Sequence, residues 1–243
     1  MKLLKILLLK ELRQVFSGSM IYIFLAIFSF ISGGLFFGNL ISLNEVTNKN
    51  IIDNVLSPTF SAVNFLLIFF TPVLTMRNFV DEKKSETLNL LLLSNLSSTH
   101  IFLGKYISSL IQGLFIISTI FLFPIILAFS GFSDWGMVFS YILGLYMMFS
   151  IYACVGTFCS LVSKNAITSI VICFAILFSF MILFTTAAMI DNLMISQIIQ
   201  YFSFGGHIYY FSRGAIASFD IIYMFSFILF FSYTSIQVLE VKR

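Results

Sequence analysis

Six stretches of this chain contain no charged side chain: 20–40, 57–76, 106–129, 136–163, 165–190 and 221–239. About 20 residues of helix, rising 1.5 Å each, cross the roughly 30 Å hydrocarbon core of a bilayer. Each run supplies that length. Lipid offers backbone amides no partner, so a crossing segment must be a helix or part of a closed barrel, and the alternating pattern of a barrel strand is absent. Phe and Ile would favour strands in water, but continuous apolar runs of this length override that preference. With 60% hydrophobic and 9% charged residues, against about 25% charged in soluble domains, the expected fold is an all-α integral membrane protein with six transmembrane helices. The 243 residues are expected to form a single transmembrane domain.

The distribution of charge sets an expected orientation. If the N-terminus is cytoplasmic, Lys2, Lys5, Lys10, Arg13, Arg77, Lys83, Lys84, Lys105, Lys164, Lys242 and Arg243 are all inside, and only Lys49 and Arg213 are outside. The acidic residues divide evenly, as expected when Lys and Arg rather than net charge set topology. Both termini are therefore expected in the cytoplasm. The formal charge of +3 gives no reason to expect nucleic acid as a partner; the bilayer itself is one.

Residues 1–16 read as an amphipathic helix lying on the membrane. Lys2, Lys10 and Arg13 share one arc, and Leu4, Leu8, Leu12 and Val15 the other, although Leu3 and Ile6 intrude on the basic side. The apolar run that follows is too long for a signal-peptide core and has no small-residue cleavage site. Residues 41–56 read as a polar outer loop. Pro58 suits a helix start, whereas Pro72 and Pro124 each remove a helical hydrogen bond. Gly34 with Gly38, and Gly156 with Ser160, have the small-xxx-small spacing that lets helices approach closely in lipid, either within the bundle or against a second copy. Residues 191–220 are apolar but broken by Gly205-Gly206-His207 and Arg213-Gly214. A central Arg costs about 2.5–3.5 kcal/mol to insert, so this segment is expected at the outer surface as short or re-entrant helices.

Catalytic and metal-binding signals are lacking. Gly104-Lys105 is followed by Tyr106, where a phosphate loop needs Ser or Thr, and Thr99 stands where its first Gly belongs. His100 and His207 fall on opposite sides of the membrane, and Cys154, Cys159 and Cys173 lie within spans without metal-ligand spacing. No Asp, Glu, Lys or Arg falls inside a run, which weighs against ion-coupled transport. The chain is thus expected to be non-catalytic, to bind no cofactor or metal, and to draw energy from elsewhere.

The charged island after the second run is the natural receiver. Arg77-Asn78-Phe79-Val80-Asp81-Glu82-Lys83-Lys84-Ser85-Glu86-Thr87 leads into Leu88-Asn89-Leu90-Leu91-Leu92. Driving a two-state bundle from 1:99 to 99:1 takes about 5.5 kcal/mol, and an exposed ion pair supplies about 0–1. Charges therefore steer a partner, and the leucines anchor the segment to the bundle. Arg77, Phe79, Asp81, Glu82, Lys83, Lys84, Glu86, Thr87, Leu90 and Leu91 are the expected coupling residues, on a helix between the second and third spans. His207 and Arg213 are candidates for an outer gate or cargo contact, or for interfacial anchoring beside Tyr209 and Tyr210.

This run, from Thr75 through Leu92 and followed by Leu103-Gly104-Lys105, resembles the inner-loop signature of ABC-2 type permeases, roughly R-x-F-x-E-E-K-x-x-G-T-x-E-L-L-L. Asp81 replaces the commoner first Glu, Glu86 stands where that family usually has Gly, Asn89 where it often has Glu, and Leu96 where Pro is frequent. Residues 206–216, followed by Asp220-Ile221-Ile222-Tyr223, and Ser160-Leu161-Val162-Ser163-Lys164-Asn165 are similar to the gliding-motility-associated branch. The resemblance implies an exporter subunit in the bacterial inner membrane that works with a separate cytoplasmic ATPase, which itself uses ATP and Mg. It also implies a second permease copy or a related membrane subunit. An anchor that recruits the ATPase without moving cargo is the alternative.

Overall fold

The structure, a computed structural model, describes residues 2–42, 51–93, 96–129, 132–187 and 189–243. Among these residues every regular element is helical. Half of the expected outer loop 41–56, residues 43–50 with Glu45 and Lys49, lies outside the described residues, and the other half is helical rather than loop.

Six helical runs are long and apolar enough to cross a membrane, as the charge-free stretches predict. The first is α2 (Ser19–Ser42), preceded by α1 (Lys2–Ser17), with a break at Gly18. The second comprises α3 (Ser57–Thr75) and α4 (Arg77–Lys84), which join into one run from Ile52 to Lys84. Pro58 falls in the first turn of α3, as expected, and the helical run extends back beyond it to Ile52. A π-turn over Ile52–Leu56 precedes it, and the Ser57 N–H bonds the Ile52 carbonyl. This widening accommodates the missing Pro58 N–H.

The short α5 (Thr87–Leu93) follows, then α6 (Ser98–Ser118), capped by the Ser97 side chain. A 3-10 turn, Thr119–Phe121, leads into α7 (Leu122–Ala128). It lies one turn before Pro124, whose ring and absent N–H disrupt the i−4 ladder there. The long α8 (Trp135–Val162), α9 (Ala166–Ala187) and α12 (Ser218–Val241) complete the crossings. Between the last two lie α10 (Leu193–Phe202) and α11 (Phe204–Ser212), two short helices where the sequence predicts short or re-entrant ones. The first, second, third and sixth helical runs begin before their charge-free stretches, because a helix can continue past the lipid boundary that such a stretch marks, whereas α9 stops three residues short of its stretch.

The centre of the bundle is α8, which touches α3, α4, α6, α9, α11 and α12. Small residues make this possible. A Cβ at Gly113 would lie 2.1 Å from the Phe149 ring, and one at Gly144 2.8 Å from Phe211. At Gly156 it would meet Thr75 Oγ1 at 2.0 Å. Gly156 and Ser160 therefore pack inside the bundle, against the α3–α4 junction. Gly34 and Gly38 do not, since among the described residues nothing lies within 4 Å of a Cβ at either position. Gly156→Leu forces Thr75 backbone and α4 away from α8, and overpacking of this kind costs about 1–3 kcal/mol or more. Thermal unfolding in detergent is expected to fall accordingly, while Gly34→Leu leaves it nearly unchanged.

The face of α1 that meets the bundle differs from the expected apolar arc. Leu7 and Glu11 are the buried residues, whereas Leu4, Leu8, Leu12 and Val15 are half-buried and Ile6 and Leu9 exposed. The reason is α6: Leu7 fills the space over Gly104, with Cδ2 2.6 Å from where a Cβ would stand.

Candidate functional site

The charged island divides into an inward part and an outward tip. Where α3 passes into α4, Ser160 Oγ accepts from the Phe79 N–H at 2.9 Å and donates to the Met76 carbonyl at 2.8 Å. One hydroxyl of α8 thereby holds the junction. Phe79 and Val80 are fully buried beyond it.

Glu82 and Lys83 turn toward the bundle. Lys105, on α6 and 2% exposed, lies 2.9 Å from Glu82 Oε1 and 3.2 Å from Glu11 Oε1. Its ammonium is also 5.1 Å from the Phe79 ring centroid, within cation–π range. Lys10 lies 3.6 Å from Glu82 and 3.7 Å from Glu11. Two carboxylates and two ammoniums thus tie α1, α4 and α6 together in a balanced cluster. Taking Glu11, Glu82 and Lys105 out of water is tolerable only because they are paired, while Lys10 stays largely exposed at the rim.

Lys83 reaches the other way. Its ammonium donates to the carbonyls of Ser160 at 3.1 Å and Ser163 at 2.8 Å, and also to that of Leu161. Lys242, at the end of α12, donates to Leu161 at 3.1 Å. The last carbonyls of a helix lack intrahelical partners and carry partial negative charge. Two lysines from distant segments therefore cap α8 and pin α4 and α12 to its end.

The tip beyond this anchorage is solvent-facing. Lys84, Ser85, Glu86, Thr87, Asn89, Leu90 and Leu93 are exposed, whereas Leu88 and Leu92 are buried in the core and Leu91 packs partly against it. Burying two leucines contributes about 1.5–3 kcal/mol each, enough to fix α5 in place. Leu90 is 69% and Leu93 81% exposed. Of the expected coupling residues, the structure thus brings Phe79, Glu82, Lys83 and Leu91 to the bundle and leaves Lys84, Glu86, Thr87 and Leu90 on the outside. Arg77 is exposed and Asp81 half-buried, and both line a cavity beside α1.

Glu86 makes the turn between α4 and α5 with φ of +57°, alone among described non-glycine residues in having positive φ. A side chain in this region costs about 1–2 kcal/mol, a penalty glycine escapes. Glu86→Gly is therefore expected to stabilise the protein by up to about 1 kcal/mol, read as a raised unfolding temperature. The resemblance had marked this position as one where glycine is usual; the turn supplies the reason.

At the other end, α11 folds back against α8 and lines a cavity of about 410 Å3 with α3, α8 and α9. Ser57, Ser61 and Asn64 line it from α3, spaced so that they follow one face. Ser61 and Tyr141 hydroxyls are 3.4 Å apart, and the Tyr152 hydroxyl donates to Asn64 Oδ1 at 3.3 Å. Phe65, Ile68, Met181 and Phe184 supply apolar walls. Its lining contains no formally charged residue, and sequence periodicity gave no sign of it because four separate helices build it.

His207 is buried at the base of α11. Its Nδ1 lies 2.6 Å from Asp220 Oδ1 and its Nε2 2.8 Å from the Tyr201 carbonyl. The Tyr223 ring stacks on the imidazole at 3.8 Å. The residue links α10, α11 and α12. Arg213, by contrast, is exposed, with its guanidinium 4.8 Å from the Tyr209 ring. The structure does not bring the two side chains to one site.

A polytopic helical bundle with an amphipathic elbow helix, an anchored polar tip and an uncharged cavity at the opposite end has the parts of a membrane permease. Residues 39–236 match the family described as ABC-2 family transporter protein, and the chain belongs to that family. It is thus a membrane permease subunit of an ABC transporter, a class whose ATPase activity resides in a cytoplasmic ATP-binding partner. No curated protein matches the chain.

Proposed function

We propose that this permease subunit is the translocating part of a gliding-motility-associated exporter in the bacterial inner membrane, with both termini in the cytoplasm. It functions as a single transmembrane domain, residues 1–243, non-catalytic and without a cofactor or metal of its own; ATP and Mg belong to the partner. The ATPase docks on the α4–α5 tip at Lys84, Glu86, Thr87 and Leu90. Its motion passes through Phe79, Glu82, Lys83 and Leu91 to α8, with Arg77 and Asp81 at the margin of that surface.

The observation that carries this reading is the tip itself: two exposed leucines among polar residues, on a short helix fixed to the bundle by Leu88 and Leu92. An exposed apolar anchor within a polar rim is what a protein interface uses. Cargo passes along the cavity lined by Ser61, Asn64 and Tyr152, and a second permease copy or a related membrane subunit completes the pathway. Arg213 serves as an outer contact for cargo, and His207 sets the position of the segment that carries it. The similarity of residues 206–216 to gliding-motility permeases supports the narrower assignment.

The test is export in sealed inverted vesicles holding the chain and its ATPase. ATP-dependent uptake that falls at least tenfold in Asn64→Leu, with ATPase binding intact, is the expected result. Binding without uptake in the unmodified complex would instead assign the chain as an anchor that recruits the ATPase without moving cargo.

A further inference from the structure

Where α1 turns into α2, a cavity of about 160 Å3 opens between this elbow and the junction of α3 with α4. A single water needs about 10–15 Å3 by the same measure, so the space suits a small polar group rather than one solvent molecule. One side is apolar, formed by Ile21 and Phe24 of α2 with Val73 and Leu74 of α3. The other side is polar, with Glu11, Arg77, Asn78, Asp81 and Gln112.

The polar side is unsatisfied in a specific way. Arg77 and Asp81 stand one turn apart on α4, yet neither makes an ion pair among the described residues. The order Arg before Asp is the weaker one for pairing along a helix. Glu11 is already matched by Lys105 and Lys10. Gln112 is 4% exposed, lines the cavity and makes no side-chain hydrogen bond among the described residues. Asn78 spends its Nδ2 on Ser109 at 2.8 Å, and its carbonyl oxygen remains an acceptor. The wall thus offers a separate cation and anion, each with a neutral amide to assist, next to an apolar flank at the end of the spans.

We infer that this elbow cavity binds the headgroup of a zwitterionic phospholipid bearing a primary ammonium, drawn from the leaflet on the α4–α5 side. The phosphodiester meets the Arg77 guanidinium and the Gln112 amide N–H, and the ammonium donates to Asp81 and the Asn78 carbonyl oxygen. The glycerol and acyl chains leave along Phe24 and Leu74. An anionic headgroup would face Asp81 with no counter-charge, and a trimethylated ammonium has no N–H to donate. A bound lipid here would sit against both α1 and α4, so its presence bears on how the elbow follows the tip.

Lipid retention tests the inference without reference to transport, ATPase docking or orientation, so its failure is distinguishable from failure of the exporter reading. The full-length chain is placed in nanodiscs of equal phosphatidylethanolamine, phosphatidylcholine and phosphatidylglycerol, then released for native mass spectrometry. Retained phosphatidylethanolamine is expected to exceed each of the others by about fivefold, the ratio that about 1 kcal/mol of pairing gives. Asp81→Asn removes its advantage over phosphatidylcholine, and Arg77→Gln lowers retention of both. Lys84→Gln, an equal charge loss on the exposed tip, leaves the pattern unchanged. Absence of enrichment in the unmodified chain, enrichment that survives both cavity variants, or an equal loss in Lys84→Gln would each overturn the site.

Discussion

Lys105→Ala is expected to destabilise the bundle by about 3–5 kcal/mol, because removing one partner of a buried ion pair strands the other. Here the loss leaves Glu11 and Glu82, both within 3.2 Å of the same ammonium, facing one another with only the exposed Lys10 between them. For a chain of this size the corresponding fall in unfolding temperature is roughly 10 °C, measurable by thermal denaturation in detergent. The sign reverses for a wholesale change. Glu11→Leu, Glu82→Leu and Lys105→Met together remove every buried charge of the cluster, and such replacements are often neutral or stabilising. A triple variant near the unmodified stability, beside a single variant far below it, would show that the cluster's energetic weight lies in its pairing. If the triple variant folds but ATP-driven export stops, the cluster also serves to move α1 with α4.

Loss of the ATPase from the purified complex is expected for Leu90→Asp with Leu93→Asp, without loss of folded permease. Both side chains are more than two-thirds exposed, so the change costs the isolated chain little. A central apolar anchor at an interface contributes about 2 kcal/mol or more, and a buried unpaired carboxylate in its place adds a desolvation penalty. Together they weaken binding by at least about a hundredfold, read by co-purification and by titration of ATPase onto nanodisc-held permease. Triple replacement of Asp81, Glu82 and Lys83 is a poorer probe. Glu82 pairs with Lys105, and Lys83 caps α8 through three carbonyls, so that variant loses fold and docking together.

The crossings were legible because charge is excluded from lipid, and twenty uncharged residues leave a helix no other use. The charged island was equally plain, but the single helix expected over it is two, α4 continuing the second span and α5 following a turn at Glu86, and only the glycine usual at that position hinted at the break. What the sequence hid was partnership. Glu11 and Lys105 are 94 positions apart, and no periodicity links them. Lys83 resembles any other interfacial lysine until the end of α8 is placed beside it. Gly34–Gly38 and Gly156–Ser160 show the same spacing, yet only the second pair meets another helix, because α8 is surrounded while α2 stands at the edge. The cavity near Asn64 was illegible for the same reason: its lining comes from four helices, each contributing a few residues to a shape that exists only after packing.

Cysteine accessibility at the tip tests the central claim most directly. The native cysteines Cys154, Cys159 and Cys173 are all buried, so Glu86→Cys presents one exposed thiol to a membrane-impermeant maleimide. No labelling in intact cells, full labelling in inverted vesicles, and protection when the ATPase is bound are the predicted results. Labelling from outside intact cells, or equal labelling with and without bound ATPase, would contradict a tip that receives the partner's motion in the cytoplasm.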